Sequence, residues 1–562
     1  MYTKYVILAA VIAILFITTR LYKESPTKER EQKIAINFDY INEKLQHAQK
    51  IIDSGNIDEA INIHVELLDQ KKRFSIVHLN LGKILYKKKE YEQAVNQFKK
   101  AIELTPNNPK LYFVTGLTLE KMAKENEAIK HFKKAVEINP NHPDYNLQLG
   151  RSLYNNKLLG EAEKYTKKAQ ELSPNNAKTY LTLGNIYNRM ARVDESIEQY
   201  KKAMELDPNL AESHYNMGYS LNLKNKFQEA LAYFDKALEL NPKYSDVHLG
   251  LAQSKLGLGN FEECWDEFEW RWSSMGLEPE KYIHTMWNGS DIKNKTVLML
   301  SEPCAGDTFQ FLRYAVPMKK SGAKIILKAP KYLVPLLSLC PYIDQIVTSV
   351  DDSIKRDTYV QISSLPRIFK TTPQNLYNQP YLYADPKLVE FWKSKLEKDK
   401  NFKIGLCWDT NPEHDQKNHP WSQRSVPLKT LEKLSKIKGV SFYNLQKITG
   451  LDQLKNISKD FVVHTFGPDF DESHGRFMDT AALIKNLDLV ITADTSIAHL
   501  VAAIGKPAWV MFPYKPESRW CHKAMTAAWY PTMKMFKSPK PFDWDSVVTE
   551  MANELKTITQ NL

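Results

Sequence analysis

The segment from Leu487 to Leu500 reads Leu-Asp-Leu-Val-Ile-Thr-Ala-Asp-Thr-Ser-Ile-Ala-His-Leu and is closed by Gly505-Lys506-Pro507. Its apolar half has the length and residue types of a buried strand, which delivers Asp494 at its carboxyl end. The helix expected from Thr495 onward turns unpaired backbone N–H groups, and the positive end of its dipole, toward whatever stands there. A phosphate group suits such a place. A competing reading makes Asp494 only the N-cap of that helix. Ile497, Val501 and Ile504 pack the helix down, Gly505 supplies the left-handed residue that ends it, and Pro507 stops it.

Alternating short strands and helices must position this element, and two such blocks follow Trp287. The first is expected to hold strands at 296–300, 324–327, 345–348 and 358–362, with a helix over 308–319. The second is expected to hold strands at 403–407, 441–445, 461–465, 487–492 and 508–512. Residues 373–386, rich in Pro, Asn and Tyr, read as a linker between them. Two doubly wound domains facing a cleft are the expected result.

Upstream the period changes. Pro106, Pro140, Pro174, Pro208 and Pro242 stand 34 residues apart, which marks a helical repeat array. Each unit has a glycine (Gly82, Gly116, Gly150, Gly184, Gly218) and small residues at Ala94, Ala128, Ala162, Ser196 and Ala230, then at Ala101, Ala135, Ala169, Ala203 and Ala237. Small residues at those sites let the two helices of a unit cross closely, while Phe98, Phe132, Tyr200 and Phe234 fill the gap to the next. The spacing resembles the tetratricopeptide repeat, with an array expected over 41–275 that ends in a cap near Trp272. Such arrays bind extended partners in a concave groove. The positions expected to face it are Tyr86, Arg151, Tyr154, Asn185, Asn188, Tyr219 and Asn222, a polar and aromatic set that suits a peptide or protein partner. The other reading leaves them as solvated helix faces.

Lys+Arg exceed Asp+Glu, 77 to 66, but the lysines alternate with glutamates at helical spacing, so the excess is a solvated face and not a nucleic-acid-binding patch. Five scattered cysteines without paired spacing point to a reducing compartment and to no structural zinc. At the N-terminus, Tyr5 to Thr19 carries no charge and would span roughly 22 Å as a helix. Snorkelling of Lys4, Arg20 and Lys23 would extend it toward the roughly 30 Å bilayer core. A single-pass membrane anchor over 5–22 competes here with a cleaved signal peptide, and the anchor is the expectation, since no small-x-small cleavage site follows Ile17. Arg20, Lys23, Lys28, Arg30 and Lys33 place the body of an anchored chain in the cytosol.

Between about Trp287 and Trp544 several motifs occur in order: Gly306-Asp307-Thr308, Arg424-Ser425-Val426-Pro427-Leu428, Leu445-Gln446-Lys447, Asp479-Thr480-Ala481-Ala482, the Leu487 to Leu500 segment, Arg519-Trp520 and Trp529-Tyr530-Pro531. Together they resemble the heptosyltransferase-like family of GT-B glycosyltransferases, in the variant with N-terminal tetratricopeptide repeats. The plan is also similar to that of O-linked N-acetylglucosamine transferases. The resemblance implies an α-helical tetratricopeptide superhelix followed by an α/β GT-B module of two Rossmann-like domains, at 285–385 and 395–562. It implies inverting, metal-independent transfer from a nucleotide sugar, without a cofactor, to an acceptor that the repeats recruit, such as a protein or glycan-assembly partner. Asp307 would be the general base on the acceptor hydroxyl. Arg424 and Lys447 would neutralise the leaving diphosphate, and Asp494, Thr495, Ser496 and His499 would complete the donor site.

The turn before Gly306-Asp307, usually Glu-Gln-Gly in that family, is Glu302-Pro303-Cys304 here. A flexible glycine is lost and a rigid proline gained. The polar loop from Asp409 to Gln423 reads as a lid or a surface insertion. Asp469-Phe470-Asp471 is similar to the metal-binding carboxylate pair of the other glycosyltransferase fold, but follows no strand closely and is read as an acidic loop. A second class of function stays open: a non-catalytic repeat scaffold with a degenerate glycosyltransferase-like domain.

Overall fold

The computed structural model describes residues 28–54, 56–69, 74–274, 286–412, 419–520 and 522–560. The expected anchor at 5–22 lies outside the described residues. Among those described, no helix is long and apolar enough to cross a membrane. The chain divides into two compact units, Met1–Thr182 and Leu183–Leu562.

The first unit is built from antiparallel helix pairs, including Ser75–Lys87 with Tyr91–Leu104, Pro109–Lys121 with Glu125–Ile138, and Pro143–Asn155 with Leu159–Leu172. The 34-residue frame explains the pairing. A Cβ added at Gly82 would lie 2.4 Å from the Phe98 ring and one at Gly116 2.6 Å from Phe132, so only glycine admits the aromatic plug. At Gly150 the plug is instead Thr166, whose Oγ1 donates to the Ala162 carbonyl at 2.7 Å. Within each repeat the turn passes through a left-handed residue, at Lys89, Ala123, Lys157, Ala191 and Asn225. Gly259 continues the same period with φ +86°, so the turn geometry persists into the C-terminal cap.

The second unit begins within the repeats and continues through Val193–Leu206, Ala211–Leu223, Phe227–Leu240, Ser245–Leu258 and Phe261–Phe268. The cap is tied to the α/β region: Trp265 Nε1 donates to the Thr371 carbonyl at 2.8 Å, Arg271 to Ser364 Oγ at 2.6 Å, and Arg367 pairs with Asp266 at 2.8 Å. Among the described residues ten strands follow: β1 Thr296–Leu300, β2 Lys324–Lys328, β3 Gln345–Val347, β4 Thr358–Gln361, β5 Phe402–Cys407, β6 Val440–Asn444, β7 Val463–His464, β8 Leu489–Ala493, β9 Ala508–Phe512 and β10 Met533–Lys537. They form two parallel sheets, ordered β3-β2-β1-β4 and β10-β9-β8-β5-β6-β7. The expected strands are all present to within a few residues. β10 was not expected, because Met533-Lys534-Met535-Phe536-Lys537 alternates in polarity and lies at a sheet edge.

Two expectations are corrected. The helix expected over 308–319 starts at Ala305 and breaks into Ala305–Phe311, a 3-10 turn at Leu312–Tyr314 and Ala315–Lys320, because Pro317 has no N–H to continue a helical ladder. The expected linker is packed into the second unit, with the Tyr381 and Leu382 N–H groups both donating to the Ala503 carbonyl and the Tyr381 side chain fully buried.

Candidate active site

β8 carries a fully buried apolar run and ends at Ala493, which leaves Asp494 at the sheet's carboxyl edge. The helix Ser496–Ile504 follows, capped by Thr495, whose Oγ1 accepts the Ile497 N–H at 3.2 Å. Thr495 is therefore the N-cap, and the reading of Asp494 as a mere cap is overturned. The Asp494 carboxylate instead accepts Trp520 Nε1–H at 3.1 Å. Gly505 ends the helix at φ +84°. Burial raises the Asp494 carboxyl to about 7, and Glu517 adds to the rise, against the pull of Arg424, Arg519 and the Trp520 N–H.

A cavity of about 550 Å³ opens at this edge and is lined by all seven of Asp307, Arg424, Lys447, Asp494, Thr495, Ser496 and His499. Asp307 lies in the first turn of Ala305–Phe311 and pairs with Arg519 at 2.6 Å. Arg519 also donates to Gln310 Oε1 at 2.5 Å and pairs with Glu517 at 2.9 Å. Glu517 in turn pairs with Arg424 at 3.2 Å. Burial pulls the Arg519 guanidinium toward losing its proton, but Asp307, Glu517 and Asp494 outweigh it and hold the charge. His499 shares a hydrogen bond with Tyr530 OH at 2.9 Å and stacks on Trp520. Burial holds its ring far below the ordinary histidine range, helped by Arg519, Arg313 and Arg424, so it is neutral.

Lys447 is aimed by its neighbour. Gln446 Oε1 accepts the backbone N–H groups of Trp408 and Asp409, at 3.1 and 3.0 Å, and fixes the loop after β6 to the end of β5. The Lys447 ammonium then donates to the Phe470 carbonyl and pairs with Glu472 at 3.2 Å. Asp469-Phe470-Asp471 lies in a turn, as expected of a loop, but Asp471 is buried and accepts the Thr480 N–H of the helix Met478–Asn486 at 3.0 Å. Among the described residues no cluster of three His, Cys, Asp or Glu is arranged to hold a metal ion. Cys264, Cys340 and Cys407 are buried free thiols and Cys304 an exposed one.

Several site residues were missed by reasoning from sequence. Glu517 follows Pro516 in an irregular stretch without periodicity, and Arg519 stood out only as part of the Arg519-Trp520 pair, with no role given to it. Arg313, fully buried, donates to the carbonyls of Gln310 and Trp529 at 2.7 Å and lies 4.6 Å from the Tyr530 ring. It fixes the wall behind His499.

The groove positions divide. In the first unit Tyr86 and Tyr154 are half-buried and Arg151 is exposed. In the second, Asn185 Oδ1 accepts from Tyr200 OH and Asn216 Nδ2, each at 2.9 Å. Asn188 and Asn222 are buried, bonded to Ser220 Oγ at 2.8 Å and to the Gly250 carbonyl at 2.9 Å. Tyr219 lies edge-on to His419 with ring centroids 6.5 Å apart. Asn188 and Asn222 thus turn their side chains into the neighbouring repeat helices, and Tyr219 is half-buried against His419, so these three are not the solvated faces the other reading made them.

Comparison with known proteins identifies the repeats. Models described as TPR repeat or tetratricopeptide repeat match residues 82–122, 109–142, 143–176, 192–223 and 211–244. The chain therefore carries tetratricopeptide repeats, followed by a parallel-sheet α/β region. It is 23% identical over 324 residues to Protein FlbA of Caulobacter vibrioides (strain ATCC 19089 / CIP 103742 / CB 15), covering 54% of this chain and 53% of that protein. It thus spans about half the length of the curated relative it matches. Among solved structures, YrrB, described as a TPR protein with an unusual peptide-binding site, is 25% identical, with 32% of this chain and 93% of that chain covered and a TM-score of 0.29. MamA from Desulfovibrio magneticus RS-1 is 23% identical over 30% of this chain and 96% of its own, with a TM-score of 0.29.

Proposed function

We propose that the protein is an inverting glycosyltransferase of GT-B type that moves a sugar from a nucleoside diphosphate sugar to an acceptor recruited by the tetratricopeptide repeats. What carries this reading is convergence: seven residues selected from scattered sequence motifs line one cavity. The Arg424 guanidinium, the Lys447 ammonium and the N-terminal turn at Thr495 and Ser496 supply the positive surroundings a diphosphate requires. In the reaction, the acceptor oxygen bonds to the anomeric carbon as the bond to the diphosphate oxygen breaks. The diphosphate leaves with the electron pair, and the acceptor proton passes to Asp307. Arg519 orients Asp307, while Glu517, between two guanidiniums, is the group a diphosphate must displace. Membrane attachment through 5–22, with the body in the cytosol, belongs to the same proposal and rests on the uncharged N-terminal run.

A non-catalytic scaffold is the second reading. It is favoured by the Pro303-Cys304 turn and by the engagement of Asp307 with Arg519. The test is a thermal-shift panel of UDP, GDP and ADP, because a ligand that binds only the folded state stabilises it by about 2.7 kcal/mol at a hundredfold excess over Kd. One nucleotide is expected to raise Tm, and Arg424→Ala and Lys447→Ala to reduce the shift. No shift with any of the three supports the scaffold.

A further inference from the structure

The two loops that bring charge to the cavity are held by repeat helices of the same compact unit. After β5, His419 donates Nε2–H to the Asn188 carbonyl at 2.6 Å and accepts the Trp421 N–H on Nδ1 at 3.2 Å. The two bonds fix one tautomer, and burial lowers the ring's pKa to about 4, so the contact is made by a neutral imidazole. After β9, Lys515 is buried and donates its backbone N–H to the Trp421 carbonyl at 2.9 Å. Its ammonium donates to the Asn222 carbonyl and to Asn225 Oδ1, the latter at 2.8 Å, above the Phe227 ring. Trp421 also lies edge-on to Tyr514, ring centroids 5.1 Å apart.

Asn222 belongs to the last turn of Ala211–Leu223. Its carbonyl accepts the Asn225 N–H at 3.0 Å and keeps a second lone pair at the negative end of the helix dipole, so an ammonium is well placed on it. The loops are thereby fastened to each other and to repeat helices just before their working residues: His419 precedes Arg424, and Lys515 precedes Glu517 and Arg519.

We propose that His419 and Lys515 are positioning residues through which the last repeats set the placement of Arg424, Glu517 and Arg519, and so the affinity of the cavity for a diphosphate. This inference rests on the function proposed above. It makes the repeats part of the site and not only a recruiting arm.

The test is calorimetric titration of the full chain with inorganic pyrophosphate. Lys515→Met removes a charge-assisted contact and is expected to weaken binding about tenfold or more. Asn225→Gly keeps the left-handed turn (φ +57°) and removes one acceptor of the ammonium, so a smaller loss with unchanged circular dichroism is expected. In an Arg424→Ala background, Lys515→Met should cost less than about twofold, since coupled residues are not additive. Equal affinity of wild type, Lys515→Met and Asn225→Gly overturns the proposal, as does an equal loss in both backgrounds, which marks a general structural role. A wild type that binds no pyrophosphate overturns the diphosphate reading of the cavity itself, and this proposal with it.

Discussion

Asp494 is the buried carboxyl of the cavity whose protonation burial shifts most plainly. Its folded pKa, raised to about 7 by burial and Glu517, lies above that of a free carboxyl, so the folded state holds a proton that the unfolded state has released. Stability from this group is present below the unfolded pKa of about 4 and is lost as pH rises through 7. Asp494→Asn is therefore expected to flatten the fall in Tm between pH 5 and 8, which a buffer series measures; an unchanged slope would refute the assignment. Glu517 offers a complementary test. Glu517→Gln frees both guanidiniums from a competing carboxylate, and nucleotide affinity is expected to rise about tenfold, or 1.4 kcal/mol, by titration. Neither role was legible in the sequence. Asp494 was found because a strand must deliver its next residue to the sheet edge, whereas Glu517 acts only through contacts that folding creates.

The elements follow from local rules to different degrees. In the repeats, a Cβ at Gly184 would meet the buried Tyr200 ring at 2.4 Å, whereas one at Gly160 meets nothing within 4 Å. Gly184→Ala is expected to cost about 1–3 kcal/mol by overpacking. Gly160→Ala, in an exposed first turn, is expected to be neutral or to stabilise by up to about 1 kcal/mol. Denaturant unfolding of the two variants checks the contrast, and equal effects would contradict the plug. The repeat array was readable because its 34-residue period makes every packing constraint recur. The strands were readable where both faces are buried, as in β1, β8 and β9. β10 escaped because one edge strand with alternating charge carries a weak signal, and the helix after β1 was misplaced because Pro317 breaks it in the middle.

Across the whole molecule, the sequence motifs indicated which residues would meet, but not what each would meet on folding. The convergence of Asp307, Arg424, Lys447 and His499 on one cavity follows from two separate parallel sheets whose carboxyl-end loops both line it, an arrangement of alternating strands and helices. The docking of His419 and Lys515 on repeat helices had no signature, since it joins residues more than 200 positions apart through backbone carbonyls that no side-chain pattern records. Sugar transfer in this cavity with Asp307 as base is the function proposed for it. Its most direct test is release of nucleoside diphosphate from UDP-, GDP- and ADP-sugars with water as acceptor, wild type against Asp307→Asn. Release from one of these donors is expected, with a fall of about a hundredfold or more in the variant and nucleotide binding retained by titration. Release at the wild-type rate by Asp307→Asn, or none from any donor by the wild type, would contradict it.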